Sequence, residues 1–340
     1  MYTRDEHNIN IADVDSEAIG IVRRLTELKY DTYIVGGAVR DLILGKKPKD
    51  FDIVSSASPV RIKKIYHNSR IIGRRFRLVH VYSGQKLFEV STFRSLIKGQ
   101  SANTFGTIEE DARRRDFTMN SLFYDPLKQI VIDYTGGMRD IKKKTVVPVI
   151  PLDEIFSDDP VRMIRAVKYS VTCGFTLPLN VKLKIKKLSP LLGDISTSRL
   201  TEEIFKILYS PDAALIADSL NKFTLYRYLQ PQAAKLMNDD PVFKGKYFQR
   251  LSAINRDNDE KKAENALIAL FYDYLESIAD WNVPIAENYR LLFRAARSFI
   301  TPMAPPRFDL NRAIRNFFSL HGITLKRHHI ALNHTVKKND

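Results

Sequence analysis

Residues 31–55 read DTYIVGGAVRDLILGKKPKDFDIVS, and the order of the pieces within them decides the fold. An apolar run (Tyr33, Ile34, Val35) meets a Gly36-Gly37 turn. Ala38 to Leu44 follows with helical spacing, and Asp50-Phe51-Asp52 opens a second β-type run. Two glycines after a strand let backbone N–H groups approach an anion without Cβ interference, and the helix N-terminus behind them adds a favourable partial positive charge. That arrangement suits a triphosphate. Side chains alternate along a strand, so Asp50 and Asp52 are expected on one face and Phe51 in the core on the other. Two carboxylates on one face suit Mg²⁺.

Alone, a Gly-Gly turn is usually just a turn, and two aspartates two apart usually mark a solvated strand edge or a helix cap. In the order strand, Gly-Gly, helix, loop, Asp-x-Asp they resemble the active-site signature of the DNA polymerase β-like nucleotidyltransferase superfamily. GGAVRDLILGKKPKDFDIV is similar to its class II branch, which holds bacterial poly(A) polymerases and tRNA CCA-adding enzymes. No GxxxxGK[ST] loop and no GxGxxG turn competes with it anywhere in the chain. The resemblance implies an α/β head with a mixed sheet, then an all-α neck and body. The expected divisions are a catalytic head at 1–145, a neck at 146–210, and a body with a basic tail at 211–340.

Further stretches extend the resemblance over roughly residues 31 to 210. Strand alternation in Leu87 to Phe93 puts Glu89 opposite Phe88 and Val90, where the superfamily carries its third carboxylate. Such an acid can ligate the catalytic metal and accept a proton from an attacking 3′-hydroxyl. Thr107 to Tyr124, TIEEDARRRDFTMNSLFY, reads as an acid-first, base-later helix. Its RRDFTMNSL is close to a second family motif, which implies that Arg115, Asp116 and Asn120 hold the nucleotide's ribose and phosphates, alongside Gly36, Gly37 and Arg40 on the triphosphate. DYTGGMRDIKKK (133–144) resembles a third motif, a second Gly-Gly turn.

At Phe156 the pattern turns helical. Ser157, Asp158 and Asp159 stand at a helix start, with Pro160 in the first turn and Arg162 and Arg165 one turn apart. An Asp-Arg pair at this spacing is most often a surface ion pair. By resemblance to the family's EDxxR helix, Asp159 and Arg162 read the Watson-Crick edge of the incoming base, and Arg165 belongs to the same nucleotide site. Asp158 stands where the pattern has Glu. ISTSRLTEEIFKIL (195–208) resembles a further family helix, with Arg199 and Glu202 at polar positions. From residue 211 helical apolar spacing broken at Pro231, Pro241, Pro284, Pro302, Pro305 and Pro306 predicts a bundle of short helices.

Composition bounds the partners. The chain has 340 residues, a formal charge of +15, one cysteine and 44% hydrophobic residues. A single Cys173 allows no internal disulfide and fits a reducing cytoplasm. The start MYTRDEHNIN lacks the layout of a secretory signal, and no apolar run approaches a membrane span. The excess of cations points to a polyanion, with nucleic acid ahead of membrane. From Arg61 to Arg77 there are seven Lys/Arg and no acid, in a stretch whose Ser69 to Val81 portion has strand character. Arg74, Arg75 and Arg77 there, with Lys326 and Arg327 in a tail of seven Lys/Arg against two Asp from Thr301 onward, are the expected RNA contacts. Within this tail His328, His329 and His334 come with no Cys or carboxylate cluster, which disfavours a metal site.

The resemblance implies template-independent transfer of AMP from ATP to an RNA 3′ end, with Asp50 and Asp52 as ligands for a Mg²⁺ pair. IIGRRFRLVHV favours poly(A) addition to general cellular RNA. The alternatives are CCA addition to tRNA from CTP and ATP, and a non-catalytic RNA-binding protein.

Overall fold

The computed structural model describes residues 1–73, 78–95, 105–254 and 262–326. The chain forms two compact units: Met1–Ile155 with Gly174–Val181, and Phe156–Cys173 with the chain from Lys182 onward.

The first unit is built on a seven-stranded sheet of β1 (Thr32–Val35), β2 (Asp52–Ser55), β3 (Ser69–Ile72), β4 (Leu78–Ser83), β5 (Lys86–Thr92), β6 (Leu122–Asp125) and β7 (Ile130–Asp133). Their order is β3-β4-β5-β2-β1-β6-β7. β2 and β5 run parallel and the other neighbours antiparallel, so the sheet is mixed as expected. One core cluster joins Val35, Val54, Phe93, Ala112, Phe123 and Ile132, with half-buried Tyr33 against it. Helix α1 (Ser16–Glu27) is capped by Asp15, which accepts from the Glu17 and Ala18 amides, and it buries Ala18, Ile21, Val22 and Leu25. α2 (Gly37–Ile43) links β1 to β2 and packs on β1, β6 and the 3₁₀ turn Thr118–Asn120. α3 (Pro59–Ile65) opens on Ser58, which accepts from the Arg61 amide, with Pro59 in the first turn.

Three expectations need correction. Ser69 to Val81 is not one strand but the antiparallel pair β3 and β4, with Gly73 leaving β3 at φ +85°. Arg74, Arg75 and Arg77 lie outside the described residues. Second, β2 begins at Asp52, so Asp50 precedes the strand. Third, Thr107 to Tyr124 is α-helical only in α4 (Ile108–Arg113), which opens on a capping box between Thr107 and Glu110. Beyond it Asp116 accepts from the Phe117 amide at 2.8 Å, offering the backbone a local alternative to the helix. The apolar residues that follow, Leu122, Phe123 and Tyr124, are fully buried in β6. A helix there would carry this run around all sides; a central strand buries it on both faces.

α5 (Gly137–Lys142) follows the second Gly-Gly turn. A Cβ on Gly137 would stand 2.3 Å from the Thr118 carbonyl oxygen, so only glycine fits. The oxygens of Asp133 accept from the amides of Thr135, Gly136, Gly137 and Met138 at 2.8–3.0 Å. This turn is already filled by its own carboxylate.

The second unit is helical: α6 (Val161–Cys173), α7 (Thr197–Leu208), α8 (Ala213–Lys222), α9 (Pro231–Asp239), α10 (Pro241–Ser252), α11 (Lys262–Ile278), α12 (Ile285–Phe299) and α13 (Arg307–Leu320). The prolines sit where the sequence predicts breaks. Pro231 and Pro241 open helices, and Pro284 and Pro306 immediately precede them. α6 packs on α7 and α8, and α11 packs on α10, α12 and α13. Leu292, Phe299, Ile314, Phe317 and Phe318 are fully buried among them. Among the described residues no helix is long and apolar enough to cross a membrane.

Candidate active site

The Gly36-Gly37 turn differs from the Asp133 turn in what surrounds it. Gly36 has φ +77° and ψ −133°, a conformation that side chains oppose. A Cβ there would stand 3.6 Å from Arg115 Nη1 and 3.9 Å from Asp52 Oδ2. Backbone turn, guanidinium and carboxylate therefore converge on one spot, although they come from three separated stretches. β1 delivers the turn, and the antiparallel register Val35↔Asp52 sets the start of β2 beside it.

Asp50 and Asp52 are exposed while Phe51 between them is buried. In β5 Glu89 is exposed between buried Phe88 and Val90. The parallel register Ile53↔Val90 sets Asp52 and Glu89, each one residue earlier, side by side on one face. Glu89 Oε1 also lies 3.4 Å from His80 Nε2 on β4. Among the described residues no group of three His, Cys, Asp or Glu side chains is gathered closely enough to hold a metal ion. The donors that fit a hard divalent cation are the exposed carboxylates of Asp50 and Asp52, with Glu89 beside Asp52.

Arg40, Asp116 and Asn120, expected to touch the nucleotide, are buried and joined by hydrogen bonds. Arg40 Nη1 donates to Asn120 Oδ1 at 2.7 Å, and Arg40 Nε and Nη2 reach Asp41 Oδ1 at 2.9 and 2.8 Å. Asn120 Nδ2 donates to Asp116 Oδ1 at 3.1 Å. The network ties α2 to the 3₁₀ turn behind it. Gly37 belongs to the same corner, its Cβ position being 3.5 Å from Arg40 Nη2. Arg115 remains half-buried at the turn and is steered by Asp111, whose Oδ2 accepts from Nε at 3.1 Å and Nη2 at 2.8 Å. The ring of Phe123 lies 5.3 Å from the same guanidinium. Asp111 escaped the reading of the sequence; its spacing four residues before Arg115 was the available signal.

In the helical unit Arg162 Nη1 donates to Asp158 Oδ2 at 3.0 Å. Arg199 Nη2 from α7 donates to both oxygens of Asp159, at 3.0 and 2.9 Å, and Asp159 Oδ1 also accepts from the Val161 amide at 3.2 Å. Arg165 Nη2 donates to the Tyr169 hydroxyl at 3.2 Å. Lys168 and Glu203, both mostly buried, approach to 3.6 Å between α6 and α7. The expected base readers are therefore fixed by neighbours, one of which, Arg199, stood outside the expected nucleotide site. Lys326 is exposed; Arg327, His328, His329 and His334 lie outside the described residues.

Comparison with known proteins gives two family matches. Residues 32–147 match the poly A polymerase head domain, and residues 174–237 match a probable RNA and SrmB-binding site of polymerase A. The chain is 37% identical over 253 residues to poly(A) polymerase I of Salmonella typhi, covering 70% of this chain and 54% of that protein. It is 35% identical over 226 residues to a CCA-adding enzyme of Geobacillus kaustophilus, covering 65% of this chain and 56% of the other. The chain spans about half the length of these curated relatives. Among solved structures, a Bacillus stearothermophilus CCA-adding enzyme in complex with CTP is 30% identical with a TM-score of 0.60, covering 90% of this chain and 82% of that one.

Proposed function

Since the chain belongs to the class II nucleotidyltransferase family of bacterial poly(A) polymerases and CCA-adding enzymes, we propose that it transfers AMP from ATP to the 3′ end of RNA and releases pyrophosphate. The observation that carries this reading is the convergence of the open Gly36 turn, Arg115 and Asp52, set against a second Gly-Gly turn already filled by Asp133.

In the reaction the RNA 3′-oxygen attacks the α-phosphorus of ATP, the bond to the β-phosphate oxygen breaks, and the hydroxyl proton is lost. The Gly36-Gly37 backbone and Arg115 hold the triphosphate. Arg40, Asp116 and Asn120 act from behind, fixing the start of α2 so that the turn needs no reorganisation when charge develops. Asp50 and Asp52 are the proposed Mg²⁺ ligands; the bound metal supplies a lowered pKa for the hydroxyl and charge neutralisation for pyrophosphate. Glu89, beside Asp52 on the same face, receives the proton.

No template is needed if side chains read the base. Asp159 accepts from the adenine exocyclic amine and Arg162 donates to a ring nitrogen. Cytosine offers the same two groups, so discrimination depends on how rigidly the pair is held. We assign the head to 1–145, the neck to 146–210 and the body with its basic tail to 211–340, in a cytoplasmic protein, with Arg165 in the nucleotide site and Arg74, Arg75, Arg77, Lys326 and Arg327 as RNA contacts.

CCA addition to tRNA is the second reading, favoured by the likeness to the Bacillus stearothermophilus enzyme across nine-tenths of the chain. Incubation of the protein with labelled ATP, RNA and Mg²⁺ tests the shared chemistry. The label is expected at the RNA 3′ end with one pyrophosphate released per addition; ATP hydrolysis without incorporation overturns it.

A further inference from the structure

α12 carries a one-sided charge that the helical unit does not answer. Its inner face buries Asn288, Tyr289, Leu292, Ala296 and Phe299. Arg290, Arg294 and Arg297 recur at i, i+4 and i+7, the spacing of a single helix face. Arg294 and Arg297 are exposed and Arg290 is half-buried. The helix's one acid, Glu287, sits in its first turn.

Several other cations of the unit are met by carboxylates. Lys222 pairs with Asp218 at 2.6 Å, Arg250 with Asp273 at 3.1 Å and Arg312 with Glu264 at 3.2 Å. No carboxylate of the described residues pairs with Arg290, Arg294 or Arg297. Three unpaired guanidinium groups along one line repel each other and gain most from an outside polyanion.

The spacing says which polyanion fits. Seven residues of helix advance about 10 Å, a length that spans several consecutive phosphates of a nucleic-acid strand, spaced ~3.4 Å along a duplex and wider in an extended single strand. At its far end Arg297 lines a cavity of about 220 Å³ together with Thr197, Thr301 and Leu310. Hydroxyls beside a guanidinium are groups that commonly contact phosphate and sugar.

We propose that Arg290, Arg294 and Arg297 form a ridge on the outer face of α12 that binds consecutive backbone phosphates of the RNA substrate. The ridge lies outside residues 174–237, the stretch matched by the RNA-binding-site family model. It rests on the reading of RNA as substrate, and it carries no base specificity, because guanidinium-phosphate contacts position a strand without reading it.

The test measures binding of the whole chain to a labelled single-stranded RNA oligonucleotide, without ATP, across a salt series. The triple variant Arg290→Ala, Arg294→Ala, Arg297→Ala is expected to lower affinity at low salt at least tenfold. It should also reduce the slope of log affinity against log salt by about 2, from ~0.7 per phosphate contact on a single strand. The triple Arg→Lys variant keeps the charges and should restore the slope, which separates lost charge from lost folding. A wild-type slope in the alanine variant overturns the proposal, as does an equal loss in the lysine variant. Binding to anionic phospholipid vesicles that falls in the alanine variant while RNA binding stays unchanged also overturns it, in favour of a membrane. Failure of ATP incorporation with the ridge effect intact sinks the proposed reaction alone.

Discussion

Arg40 Nη1 and Asn120 Oδ1 meet at 2.7 Å across a separation of 80 residues, and the bond locks the helix behind the Gly36-Gly37 turn to the 3₁₀ turn before β6. Both residues are buried, at 8% and 5% exposure. Asn120→Ala leaves a buried guanidinium short of an acceptor, and Asp116 loses the Nδ2 donor. The expected cost is ~1–3 kcal/mol of stability by denaturant unfolding. Nucleotide addition should fall as well, at temperatures where the variant is fully folded. Unchanged stability and rate would show that the network braces nothing.

Gly36→Ala tests the turn itself. The positive φ costs about 1–3 kcal/mol in a residue with a side chain, and the new methyl would lie against Arg115 and Asp52, where a triphosphate is proposed to bind. KM for ATP should rise more than tenfold in the folded variant. Gly37→Ala, at ordinary φ with its Cβ 3.5 Å from Arg40 Nη2, should be milder. An order of severity reversed between the two would contradict the assignment.

Asp50→Asn and Asp52→Asn each remove a charge from the exposed carboxylate pair and leave the basic surfaces untouched. Each should lower turnover on the order of a thousandfold, while RNA affinity stays near wild type. Near-wild-type turnover by either variant defeats the metal-ligand assignment.

Arg199→Ala removes the guanidinium from both oxygens of Asp159 and leaves Oδ1 only its bond from the Val161 amide. The pair is partly exposed, at 51% and 23% for the two side chains, so the stability change should stay below ~1 kcal/mol. Its effect belongs in discrimination: the ratio of kcat/KM for ATP to that for CTP should drop several-fold. A large loss of stability with an unaltered ratio would mark the contact as structural only.

The sheet and its site were legible where local signals agreed. Tyr33 to Leu44 shows strand, turn and helix in order and folds as its own residues dictate, whereas the strand expected to open at Asp50 begins only at Asp52. Thr107 to Tyr124 misled because the charges of its first half read as helix, whereas burial on both faces of β6 decides the second half, and burial depends on strands far away in sequence. The same limit hid the contacts among Arg40, Asp116 and Asn120. Their types suit nucleotide binding, and only the tertiary fold reveals the hydrogen bonds that join them. Asp159, just before α6, and Arg199 on α7, 40 residues later, could be paired only by packing.

The measurement closest to the central claim supplies the wild-type protein with ATP alone, CTP alone or both, on a generic RNA and on tRNA lacking its CCA end. Poly(A) addition predicts that ATP alone suffices, that CTP is poorly used, and that tails on the generic RNA grow well beyond three residues. Addition of two C residues and one A to the trimmed tRNA, followed by arrest and with no tail on the generic RNA, would contradict it.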